Sequence, residues 1–88
     1  MNTESPEIRL KRLKMRSWRR GMKEMDLILG PFADRGLADL SASEIELYEE
    51  LQDENDQELY RWFSGQIAAP DRFVALVDKI KASSLTKD

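Results

Sequence analysis

Phe73, Leu76, Val77 and Ile80 recur at the spacing i, i+3, i+4, i+7, which lays all four on one face of a helix. No stretch of the 88-residue chain alternates apolar and polar residues with the period of two that a half-buried strand requires. Together these patterns exclude a sheet and predict an all-α fold, a compact single-domain bundle of about five short helices. The length allows one domain, residues 1–88, with a single modest core; residues 1–5 and 84–88 are expected to fray.

The helix boundaries follow from local punctuation. Pro6 suits the first turn of a helix running to about Trp18, with Leu10 and Leu13 inward. A second helix is predicted through Arg20 to Leu29, because Met22, Met25 and Leu29, and again Met25, Ile28 and Phe32, keep a helical spacing. Gly30-Pro31 is expected to end it, since glycine suits a C-cap and proline cannot continue the ladder. Phe32 to Leu40, interrupted by Gly36, reads as one helical turn or two. Ser41-Ala42-Ser43-Glu44 is a capping box opening a helix with Ile45, Tyr48 and Leu51 inward. Asp53 to Asp56 is a polar break that caps the next helix, where Leu59, Trp62 and Phe63 share a stripe before Ser64-Gly65 stops it. Pro70 starts the last helix.

Composition removes several chemistries. The chain has no cysteine and no histidine, so disulfides, thiolate metal sites and the commonest general base are absent. No nucleophile–base pair, phosphate loop or metal constellation is present, so no catalytic and no metal-binding residues are assigned, and the chain reads as a non-enzyme. Asp53 to Glu58 has the acidity of a calcium loop but not its glycine at the sixth position or its glutamate at the twelfth, where Ser64 stands; capping explains it better. No apolar run approaches 18 residues, so no membrane insertion is expected. Met1 to Pro6 has none of the layout of a signal peptide.

The net charge of −3 conceals an asymmetry. Residues 1–24 carry eight Lys/Arg and three Glu, a charge of +5, and residues 25–88 carry −8. Arg9, Lys11, Arg12, Lys14, Arg16, Arg19, Arg20 and Lys23 read as a solvated helix face or as a surface that steers onto an acidic protein partner. A nucleic-acid-associated protein using this basic N-terminal helix is the alternative class, which the acidic remainder of the chain opposes.

Within that basic stretch lies Arg19-Arg20-Gly21-Met22-Lys23-Glu24. As helix, it places Arg20 and Glu24 four apart on one face, in the weaker order for an ion pair, with a glycine costing about 0.5–1 kcal/mol between them. A surface ion pair with an incidental glycine is one reading. A docking face is the other: a partner backbone approaches at Gly21, Arg20 offers its donor fork and Glu24 an acceptor. Trp18, Arg19, Met22 and Lys23 flank that face. Trp62 and Phe63 are core residues, and core is also the expectation for Trp18, Met15, Met22 and Met25, with partner contact as their minor option.

Trp18 through Leu27 resembles the Arg-Gly-x-x-Glu block of the succinate dehydrogenase assembly factors, the flavinator family. Leu51 through Asp56-Gln57-Glu58-Leu59-Tyr60-Arg61-Trp62-Phe63 resembles its second block, Asp-x-x-Leu-(aromatic)-x-Trp. Met25 stands where leucine is commoner, and Tyr48 where phenylalanine is expected. The resemblance implies an assembly chaperone that binds the flavoprotein subunit of succinate dehydrogenase, with fumarate reductase a further client, and promotes covalent attachment of FAD to that partner. It implies no stably bound cofactor on this chain and assigns partner binding to Arg20, Gly21 and Glu24. The expected location is the bacterial cytoplasm, or the mitochondrial matrix if a presequence has been removed.

Overall fold

Five helices form where apolar stripes and caps coincide. The computed structural model describes residues 4–85, with side chains through Ser83; the fraying expected at 1–3 and 86–88 lies outside them. The helices are α1 (Pro6–Ser17), α2 (Lys23–Gly36), α3 (Ala42–Gln52), α4 (Asp56–Ser64) and α5 (Asp71–Leu85), with a 3-10 turn at Leu37–Asp39. No strand occurs among the described residues.

Most caps behave as the sequence reading requires. Ser5 accepts the Ile8 N–H at 3.2 Å, and Pro6 follows it. Glu4 is also held, by Arg12 at 2.7 Å, so the order of the chain begins earlier than expected. Ser41 and Glu44 make both bonds of the capping box, and Asn55 accepts two N–H groups at the start of α4. Gly65 ends α4 with φ +86°, a conformation that costs a side-chain-bearing residue about 1–2 kcal/mol.

The core joins Leu13 of α1, Met25, Leu29, Phe32 and Ala33 of α2, Tyr48 and Leu51 of α3, Leu59, Trp62 and Phe63 of α4, and Phe73, Leu76, Val77 and Ile80 of α5. Leu10, Met22, Ile28 and Ile45 are half-buried at its margin. α2 packs on α1, α4 and α5, and is the element around which the others gather.

α2 departs from expectation at both ends. It starts at Lys23, after the signature's arginine and glycine, and it runs through Gly30-Pro31 to Gly36. A proline in a helix interior costs about 3 kcal/mol. Beyond Pro31, however, the helix buries Phe32, Ala33 and the adjoining Leu37. Each large side chain among these contributes about 1.5–3 kcal/mol on burial, so tertiary packing outweighs the local stop signal.

Gly30 is no cap. A Cβ there would lie 2.4–2.6 Å from three ring carbons of Trp18, so the missing side chain is what lets the indole lie against α2. Trp18 is therefore not a core residue: it is 41% exposed, and its Nε1 donates to Asp34 at 3.3 Å. Gly30→Ala is expected to lift the indole off the helix. The helix gains up to about 1 kcal/mol in propensity, but the ring loses packing worth more. A red-shifted tryptophan emission with a net loss of about 1–2 kcal/mol in urea unfolding checks this.

Candidate functional site

The basic stretch is largely answered from within the chain. Arg9, Arg12, Arg16 and Arg20 recur at three- and four-residue spacing and face the acidic edge of α3 and the turn after it. Arg9 Nη2 and Arg12 Nη2 each lie 2.7 Å from Glu49, and Arg16 Nη2 lies 3.1 Å from Asp53. Burial pushes the Glu49 carboxyl up, but hydrogen bonds from Arg12 and Arg9 outweigh it and hold the group below its ordinary value. A lowered folded-state pKa means the contribution is complete above the unfolded carboxylate value of about 4.3 and is lost as pH falls through the folded value. Stability measured from pH 6 down to about 2 should therefore fall less steeply in Glu49→Gln than in the wild type. With four arginines so engaged, Lys11, Lys14, Arg19 and Lys23 remain exposed without an ion pair to another described residue, a small footprint for a polyanion.

The signature segment is a turn. Trp18 closes α1, Arg19 and Arg20 lie outside any helix, and Gly21 adopts φ +93° before Met22 opens α2. Arg20 and Glu24 therefore do not share a helix face and do not pair. The Arg20 backbone N–H donates to Asp26 Oδ1 at 2.6 Å, which closes the turn. Its side chain, 8% exposed, reaches the α3–α4 junction: Nε donates to Asp56 Oδ1 at 2.7 Å, Nη1 to the Gln52 carbonyl at 2.6 Å and Nη2 to the Glu54 carbonyl at 2.9 Å. The Gln52 carbonyl ends α3, where intrahelical donors run out and a cation is favoured, and that of Glu54 lies in the turn just beyond. The expected outward donor fork is turned inward.

Beneath the turn, Ser17 Oγ donates to the Leu13 carbonyl at 2.8 Å and lies 2.6 Å from the Tyr48 hydroxyl. The Gln52 amide donates to the Ser17 hydroxyl at 2.8 Å and to the Leu13 carbonyl at 3.1 Å. Burial raises the Tyr48 phenol above its ordinary value, partly offset by hydrogen bonds to Ser17 and Gln52 and by the charge of Arg20. The ends of α1 and α3 are thus joined inside by neutral hydrogen bonds and at the rim by Arg20.

What faces outward is the rest of the signature. The side of Gly21 is open; the nearest atom to a Cβ there would be Asp56 Oδ2, at 4.0 Å. Glu24 is exposed in the first turn of α2, where a carboxylate suits the helix dipole. Arg19 and Lys23 are exposed, and Met22 is half-buried against the core. Met25 is core, while Met15 is exposed. Beside them Leu27, 58% exposed, sits one turn from Glu24 and from Gly30 on the same helix. The end of α1, the turn and the first turns of α2 thus expose two large apolar side chains, Trp18 and Leu27, and a bare glycine, together with the charges of Arg19, Lys23 and Glu24, a composition suited to binding a protein. Sequence reasoning misses Leu27, Asp34 and Asp56 as site residues; the signals for two of them are the place of Asp56 in the second block and that of Leu27 off the apolar stripe of α2.

Residues 11–84 match the family model described as flavinator of succinate dehydrogenase. The mitochondrial succinate dehydrogenase assembly factor 2 of Debaryomyces hansenii is 36% identical over 84 residues, covering 96% of this chain and 56% of the relative. Assembly factor 2-B of Drosophila mojavensis is 35% identical over 79 residues, covering 88% of this chain and 50% of the relative. The FAD assembly factor SdhE of Shewanella oneidensis is 42% identical over 53 residues, 60% of this chain and 65% of that protein. The chain spans about half the length of the mitochondrial relatives it matches. No solved structure matches it. A family match that runs from α1 through α5, and so contains the signature turn and the junction it is fastened to, decides the kinship: the chain belongs to the flavinators of succinate dehydrogenase.

Proposed function

We propose that this protein is a non-catalytic assembly factor. It binds the flavoprotein subunit of succinate dehydrogenase and promotes covalent attachment of FAD to that subunit. The observation that carries the reading is the family match over residues 11–84, joined to an open glycine turn at the signature. Fumarate reductase is proposed as a second client through the same face.

The work assigned to this chain is positional. Gly21 admits close approach of a partner backbone, Glu24 accepts hydrogen bonds, and Trp18 and Leu27 cover apolar surface. Holding the flavoprotein in one conformation brings its acceptor side chain and its flavin into reactive geometry, and effective molarity then favours the bond. The covalent chemistry is that of the flavin and the partner. This chain has neither histidine nor cysteine to carry a flavin through the commonest linkages.

Mixing the purified protein with apo-flavoprotein and free FAD is expected to raise flavin fluorescence on the flavoprotein band of a denaturing gel. No fluorescence should appear on the 10.2 kDa band. Covalent flavin on the small band would overturn the chaperone mechanism and point to a carrier linked through another residue, such as Tyr60.

A further inference from the structure

Arg20 belongs to the first sequence block and Asp56 to the second, 36 positions later, yet they form one contact. The planar guanidinium ties the turn before α2 to the last carbonyl of α3, to the α3–α4 turn at Glu54 and to the first turn of α4. The Asp56 carboxylate meets both halves of the signature dipeptide. Its Oδ1 accepts from Arg20, and its Oδ2 borders the side of Gly21 that a Cβ would take, 4.0 Å from that position.

We infer that Arg20 is a positioning residue for the docking face, acting through Asp56 to hold Gly21 and Glu24 in the orientation a partner meets. This rests on the reading that the flavoprotein docks at that face. The Arg20 side chain is nearly closed to solvent and its three kinds of donor nitrogen are already engaged, so it has little left to offer a partner. Glycine is the least restricted of residues, and at φ +93° only its surroundings select the orientation. With the fastening in place the turn has one arrangement. Without it, only a fraction of molecules presents the docking arrangement, and apparent affinity falls by that fraction.

The test has two arms, each run at a temperature where circular dichroism shows every variant folded. In the first, the free protein is digested with trypsin under native conditions. Asp56→Ala is expected to speed cleavage after Arg19, Arg20 and Lys23 about tenfold, with little change at sites in α5. In the second, binding to the flavoprotein is measured. Asp56→Ala is expected to weaken it about tenfold although Asp56 makes no proposed partner contact. Asp56→Asn, which keeps an acceptor in place, should recover most of the loss. Arg20→Lys keeps the charge but not the fork; combined with Asp56→Ala it should weaken binding further only as far as it speeds cleavage further, because the bonds to the Gln52 and Glu54 carbonyls also hold the turn, while Glu24→Ala should add its own factor in full with cleavage unchanged. Faster cleavage with unchanged binding would overturn the inference and leave the docking reading intact. So would an additive loss of binding from Arg20→Lys on the Asp56→Ala background with no further speeding of cleavage, which would mean the arginine meets the partner. Failure of the wild type to bind the flavoprotein would overturn the docking reading and the inference with it.

Discussion

Arg20→Ala is expected to lower unfolding free energy by about 2–4 kcal/mol, a large share of what a domain of this size possesses. The alanine leaves Asp56, a half-buried carboxylate, without its cation, leaves the Glu54 carbonyl without its donor, and leaves the Gln52 carbonyl only the longer bond from Arg16 at 3.4 Å. Unpaired buried groups are costlier than the net worth of the bonds they lost. The same reasoning separates Arg20 from Glu24, which is exposed in the first turn of α2; Glu24→Ala should stay within about 0.5 kcal/mol of wild type. Urea unfolding of the two variants side by side checks both statements. Equal stability of Arg20→Ala and wild type would mean that the contact to the α3–α4 junction does not persist in solution.

Gly21→Arg is expected to abolish flavoprotein binding and the gain in flavinylation, while the fold survives a cost of about 1–2 kcal/mol. That cost comes from φ +93°, where any L side chain is strained; crowding contributes little, because the nearest atom to a new Cβ is 4.0 Å away. Strain and occlusion are separable with Gly21→Ala, which has the same backbone penalty and no long side chain. If the face at Gly21 receives a partner backbone, the alanine variant keeps much of its activity at low temperature and the arginine variant keeps none. Equal loss in both would assign the effect to the backbone conformation of the turn, and normal binding by Gly21→Arg would remove this residue from the interface.

Much of the architecture could be read along the chain because the information is local. The capping box at Ser41–Glu44, the asparagine at the start of α4 and the glycine at its end each satisfy backbone groups within a few residues of themselves. The stripe of α5 needs only its own spacing to predict that Phe73, Leu76, Val77 and Ile80 are buried. The signature segment misled for the same reason. Met22, Met25 and Leu29 keep a helical period whether or not the turn before them is helical, and nothing nearby shows that Gly21 takes a positive φ.

The sequence by itself determined the class of fold, the positions of most caps, the family and most of the core, though not the exposure of Trp18 and Met15. It also marked Arg20, Gly21 and Glu24 as unlike a stretch chosen for local stability. Tertiary structure decided what each of the three does. Arg20 found its partners at the α3–α4 junction, more than thirty residues away, so it faces inward. Gly30-Pro31 carries every local mark of a helix end, yet α2 continues, because Trp18 lies on the glycine and the residues beyond the proline enter the core. In both places a local preference of a few kcal/mol met contacts between distant parts of the chain worth as much or more, and only the folded arrangement shows which side prevails.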